Sequence, residues 1–139
     1  MPDTEIRISD SLKDDSAVVS ETLPLRWYLT KLESVNFSTN LQYSQQLQLL
    51  HSNEEPASAI EMVQALLLYE KLNSEQTNTK CFFRTRNLVI DGGVVSIGYI
   101  KIWDSDGFIK RPLWVMRGSQ DIACTGGGIG SSRKSFKDL

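Results

Sequence analysis

The chain has 139 residues, 40% of them hydrophobic and 23% charged, with a net charge of −2. That length supports one domain with a hydrophobic core and leaves too little chain for two. No apolar run reaches the roughly 20 residues of a membrane span and the opening residues are acidic, unlike a signal peptide, so a cytoplasmic setting and no membrane partner are expected.

The charge is unevenly distributed. Residues 1–75 hold twelve acids and five bases, and residues 76–139 hold ten bases and five acids. Such asymmetry steers an anionic ligand to the basic half, or drives head-to-tail association of two copies, acidic half on basic half.

Residues 1–19 read as an acidic, mobile arm, although Ile6 and Ile8 alternate as a short added strand would. Helical signals begin near Ser20 or Thr22, with Pro24 tolerated in a first turn, and Leu25, Leu29 and Leu32 recur at helical spacing. Trp27 lies off that stripe. Ser38-Thr39-Asn40 offers caps before a second helix, with Tyr43, Leu47 and Leu50 as its apolar stripe and the glutamines opposite. A third helix is expected to start near Asn53-Glu54-Glu55-Pro56, or slightly later at a Ser58/Glu61 capping box. Its sequence, AIEMVQALLLYEKL, has a wide apolar arc, with Ile60, Val63 and Leu67 in one row and Met62, Leu66 and Tyr69 in another. A helix of that kind is central to a core or lies at a subunit interface.

Residues 80–118 read as strands joined by two tight turns. Asp91-Gly92-Gly93 and Asp104-Ser105-Asp106-Gly107 supply residues that accept positive φ, and VVSIGYIKIW between them is rich in β-branched and aromatic residues. Pro112 cannot donate a ladder hydrogen bond, so the third strand is expected at an edge or with a bulge there. Alternation places Ile100 with Ile102, and Ile109 with Arg111, Leu113 and Val115. If those aliphatics pair with one another, Tyr99, Lys101, Trp103, Phe108, Lys110 and Trp114 share the other face. Lys80, Phe82, Arg84 and Arg86 lie together on the first strand. Residues 119–139, with Cys124 to Ser132 rich in glycine and a basic cluster at Arg133, Lys134 and Lys137, read as a flexible tail.

The expected fold is therefore α+β: residues 20–118 form one domain, with about three helices over 20–75 packed on a three- to four-stranded antiparallel sheet over 80–118. Flexible arms are expected at both ends. Leu25, Leu29, Leu32, Leu47, Leu50, Ile60, Val63, Leu67, Ile100, Ile102, Leu113 and Val115 are the expected core.

Most catalytic chemistry finds no footing in this sequence. His51 is the only histidine, so Ser-His-Asp and Cys-His sites would both have to use it. Cys81 and Cys124 with one histidine do not make a structural zinc site, and a chain without a signal peptide is expected to keep the two thiols reduced. The glycine run lacks the G-x-x-x-x-G-K-[ST] pattern of a phosphate loop, and Asp104-x-Asp106-Gly107 lacks the later ligands of a calcium loop. No enzymatic activity, cofactor or metal is expected.

What remains is a binding face. Rings interleaved with cations suit single-stranded nucleic acid, because bases stack on the rings and phosphates meet the cations. On that reading Lys80, Arg84, Arg86, Lys101, Lys110, Arg111 and Arg117 meet phosphates, and Tyr99, Trp103, Phe108 and Trp114 stack, with RNA or single strands favoured. The alternative is a protein-interaction or assembly module, since Trp and Arg also anchor protein interfaces. It would use the same face, or the wide third helix near Leu66 and Tyr69.

Overall fold

The computed structural model describes residues 4–12, 29–35, 37–77, 82–103, 105–120 and 127–133. In these residues the strands are β1 (Ile6–Ile8), β2 (Glu54–Pro56), β3 (Phe82–Leu88), β4 (Val94–Tyr99), β5 (Ile102–Trp103), β6 (Ile109–Lys110), β7 (Leu113–Gly118), β8 (Gly127–Ile129) and β9 (Ser131–Arg133). The two α-helices are α1 (Tyr43–Leu47) and α2 (Ala59–Asn73). Strands β1, β7, β4, β3 and β8 lie in that order in one sheet, β2 pairs with β9, and β5 pairs with β6.

At the centre of the large sheet is the antiparallel run β3–β4–β7. The first turn has the expected chemistry: Gly92 takes φ 89°, and Asp91 Oδ1 accepts from the Gly93 N–H at 3.0 Å. At the two edges the pairing is parallel, β1 on β7 and β8 on β3. The sheet is thus mixed, not antiparallel, because the two segments read as flexible arms each return to an edge of the hairpin run. β7 is consequently not an edge strand. Pro112 lies just before it, where its missing N–H costs no ladder bond, and Leu113 donates instead to Glu5 O at 2.9 Å.

Among the described residues the expectation of three helices fails at the first of them. Residues 29–35 are not helical. Lys31 and Val35 donate to Ser131 O and Ile129 O at 3.1 and 3.0 Å, so this segment runs antiparallel to the returning tail. Glu54–Pro56, read as a helix start, is β2 against β9. The tail can enter because it is glycine-rich. A Cβ on Gly128 would meet the Ser34 and Ser38 side chains, and one on Gly127 would meet the Phe82 ring. Leu25 and Trp27 lie outside the described residues, as do Cys81 and Cys124.

α2 starts at the later of the two expected positions. Ser58 Oγ accepts from Glu61 N at 3.2 Å while Glu61 Oε1 accepts from Ser58 N at 3.4 Å, a reciprocal capping box. Its Ala59, Met62 and Leu66 pack on Phe83, Val95, Ile97, Tyr99, Leu113 and Val115, which form one face of the sheet. Full burial of a residue such as Leu66 is worth about 1.5–3 kcal/mol. On the opposite face Val94 meets Tyr43 and Ile129, with Val35 and Leu50 at the margin.

Of the expected core, Leu113 and Val115 are buried, and Leu32, Val63, Leu67 and Leu50 pack at its margins. Ile60 and Ile102 are half-exposed, while Leu29, Leu47 and Ile100 are exposed. On α1 the buried positions are Tyr43, from the expected stripe, and Gln46, whose Nε2 donates to Ser38 O and Gly127 O at 2.6 and 2.8 Å, while Leu47, Gln42, Gln45 and Gln48 are exposed.

The packing of the tail gives a direct test. Gly128→Ala forces a methyl group against Ser34 and Ser38, and should lower unfolding stability by about 1–3 kcal/mol in urea titrations; an unpacked tail would show no change.

A second test concerns the β2–β9 clasp. The Glu54 carboxylate lies 3.1 Å from Lys31 Nζ and accepts from His51 N at 3.2 Å. Burial acts to raise its pKa, but the hydrogen bonds from Lys31, His51 and Ser131 outweigh it and hold the group below the ordinary carboxyl value. A lowered folded-state pKa means that the ionised form stabilises the fold; this contribution is complete above the ordinary value and is lost as pH falls through the lowered one. Glu54→Gln should therefore destabilise the protein at neutral pH, with the difference from the parent shrinking in acid, as measured by unfolding at a series of pH values.

Candidate functional site

The structure divides the expected basic-aromatic face into buried, paired and exposed groups. Arg84 is buried, its Nη1 donating to Leu41 O and Gln46 Oε1 at 3.0 and 3.1 Å and its Nη2 to Ser119 O at 3.1 Å. Tyr99 is also buried, on the α2 side of the sheet. Its hydroxyl lies 3.2 Å from Glu70 Oε2 and 3.4 Å from Leu66 O, and burial, then the Glu70 charge, raises its pKa. On the opposite face the Tyr43 hydroxyl donates to Thr85 O at 2.6 Å, and burial pushes its pKa up to about 12 against the opposing pull of Arg84.

Other members of the set are engaged at the surface. Arg86 Nη1 lies 3.6 Å from Glu55 Oε1. Arg117 Nε donates to Asp91 Oδ2 at 2.8 Å, and the Gly93 N–H together with Arg117 holds that carboxyl below its ordinary range. Trp114 is half-buried on the face opposite α2, with the Arg7 guanidinium 5.6 Å from its ring centroid. Its Nε1 is buried and has no hydrogen-bond partner among the described residues. Lys80 lies outside the described residues.

The rest come together on a ribbon. After Tyr99 the main ladder lapses at Ile100-Lys101 and at Arg111-Pro112, and beyond it β5 and β6 pair as a separate two-stranded extension. A tight turn with Gly107 at φ 81° closes its tip. The base is tied to the end of α2, where Gln76 Nε2 donates to Arg111 O at 2.9 Å. Lys101, Lys110 and Arg111 are exposed, Trp103 and Phe108 are each 71% exposed, and Ile109 is 47% exposed.

The register corrects the expected faces. Trp103 stands opposite Ile109, and Ile102 opposite Lys110. Alternation therefore sets Trp103 with Ile109, Lys101 and Arg111 on one face, and Phe108 with Ile102 and Lys110 on the other. The two exposed rings do not form one platform. Ile109, which the sequence reading assigned to the core face, is the residue that reading missed; the lapse at Pro112 was the available signal that the strand beyond it leaves the sheet.

The third helix also presents a different surface from the expected one. Leu66 is buried against the sheet, and the exposed apolar row on α2 is Leu68 and Leu72. His51 is exposed beside a small notch of about 240 Å³ shared with Leu29, Lys31, Glu54 and Ser131. Among the described residues no group of three or more His, Cys, Asp and Glu side chains is placed to hold a metal ion, and no helix is long and apolar enough to cross a membrane. Comparison with protein-family models, with curated proteins and with solved structures gave no match to this chain.

The division between buried and exposed cations is measurable. Arg84→Ala strips charge-assisted donors from three buried or half-buried acceptors and should cost about 2–4 kcal/mol of stability. Lys101→Ala should stay within about 0.5 kcal/mol of the parent. Comparable losses for both, in denaturant unfolding, would contradict the assignment of Arg84 to the fold.

Proposed function

We propose that this chain is a non-catalytic protein-interaction module whose working surface is the β5–β6 ribbon. The Trp103–Ile109 cross-strand pair carries the proposal: an aromatic and an aliphatic side chain stand opposite each other on an exposed ribbon, flanked by cations. Exposed apolar groups in that setting lose hydration favourably only when another surface covers them, and Trp and Arg are frequent anchors of protein interfaces. A cytosolic setting belongs to the same proposal.

Nucleic acid draws less support from the geometry. Arg84 is enclosed in the fold, and Arg86 and Arg117 are paired with carboxylates. Over residues 101–111 three cations face two acids in the sequence, Asp104 and Asp106. Affinity for a phosphate backbone comes from several cations releasing counterions together, and this surface offers few.

Trp103→Ala tests the proposal. The variant should keep its stability within about 0.5 kcal/mol, as exposed substitutions do, yet lose a protein partner that crosslinks to the parent through a photoreactive group on the ribbon. Tryptophan fluorescence quenched by short single-stranded RNA or DNA, weakening with added salt and absent in the variant, would overturn it in favour of nucleic acid.

A further inference from the structure

We infer that the ribbon's partner is a second copy of this chain, and that the receiving surface is the apolar groove between α2 and residues 29–32. The inference rests on the interaction reading above and identifies the partner. Leu29, Leu32, Ala65, Leu68, Tyr69 and Leu72 line the groove, with a volume of about 460 Å³. That lies within the roughly 300–1,000 Å³ typical of sites that enclose a bound group. Leu72 is 74% exposed, so the outer wall of the groove has the same unmet need for cover as the ribbon.

Charge favours this match. Exposed Glu75 lies 3.5 Å from the Tyr69 hydroxyl at one end of the groove, while Glu61 in its wall is buried, its Oε2 accepting from Thr30 Oγ1 at 3.2 Å. Exposed Glu33 borders the adjoining hollow, which shares Thr30, Leu32 and Tyr69 with the groove. Of the nearby bases, Lys31 is paired with Glu54, and Lys71 falls at the helix flank beyond Gln64. On the face of its apolar pair the ribbon offers Lys101 and Arg111. The acidic-basic division of the whole chain runs the same way, since the groove lies in the acidic part and the ribbon in the basic part.

Position favours a closed pair. The groove ends at Leu72 and Asn73, and Gln76 ties the ribbon base to the same end of α2. Two copies related by a two-fold axis can each lay a ribbon in the other's groove, a self-complementary arrangement that closes at two.

Sedimentation of the full chain over a wide concentration range, with Trp103→Ala and Leu72→Lys as variants, tests the assembly. The parent should show a monomer–dimer equilibrium, and each variant alone should weaken it by about thirtyfold or more, the loss expected for a truncated interface anchor. Mixing the variants restores one intact ribbon and one intact groove, so the mixture should associate more tightly than either variant alone. Circular dichroism should show both variants folded, as their exposure implies. A parent that stays monomeric at high concentration, a dimer that survives both substitutions, or a mixture no tighter than its components would overturn the inference. If the parent is monomeric while Trp103→Ala still loses a crosslinked protein, the interaction reading stands and only the self-pairing fails.

Discussion

Arg84 is the constraint on which the rest of the described fold depends. A buried guanidinium is tolerated only when its donors meet acceptors, because desolvating an unpaired cation costs far more than its stem gains by packing. Here the acceptors come from three separate places: Leu41 before α1, Gln46 within it, and Ser119 just after β7. Gln46 passes the connection on through its amide to Ser38 and to Gly127 of β8. A single β3 side chain thus fixes α1, the end of β7 and the returning tail relative to one another. The same network explains why a glutamine is buried on α1 while Leu47 faces solvent.

This network also marks the limit of what the sequence could convey. Local chemistry was legible: the Asp91-Gly92-Gly93 turn, the Ser58–Glu61 capping box and the β-rich stretch from Val94 all rest on neighbours a few residues apart. Partners distant in sequence were not. Nothing near Arg84 tells that its acceptors lie 35 to 43 residues away, so it reads as one more cation on a basic face. GGGIGSS reads as a linker for the same reason, because only the approach of Ser34 and Ser38 shows that missing side chains are what lets a strand fit there. The candidate site was half legible. Exposed Trp103, Phe108, Lys101, Lys110 and Arg111 were anticipated, but the register set by Tyr99 opposite Leu113 runs unchanged to Trp103 opposite Ile109, so aromatic pairs with aliphatic and Ile109 takes the place expected for a ring.

The ribbon and the groove differ from the core in one energetic respect. Core apolar groups are covered by the chain itself, whereas Trp103, Ile109, Leu68 and Leu72 remain in water. Such groups give the monomer little stability, so their presence does not follow from the needs of the fold. Both surfaces adjoin the C-terminal end of α2, so the proposed pairing would bear directly on that helix end.

The returning tail has a consequence for the order of events during synthesis. Residues 29–35 and β2 find their backbone partners in residues 129–133, so about seventy residues separate Ala57 from the start of β8. At roughly 5–20 residues per second a ribosome takes on the order of ten seconds to cover that distance. Throughout it the N-terminal part of the domain holds unpaired peptide groups with no strand to receive them, while the β3–β4–β7 run can form from contacts close in sequence. The nascent chain therefore passes through an interval in which one edge of its sheet is open, and the last strands to emerge close it.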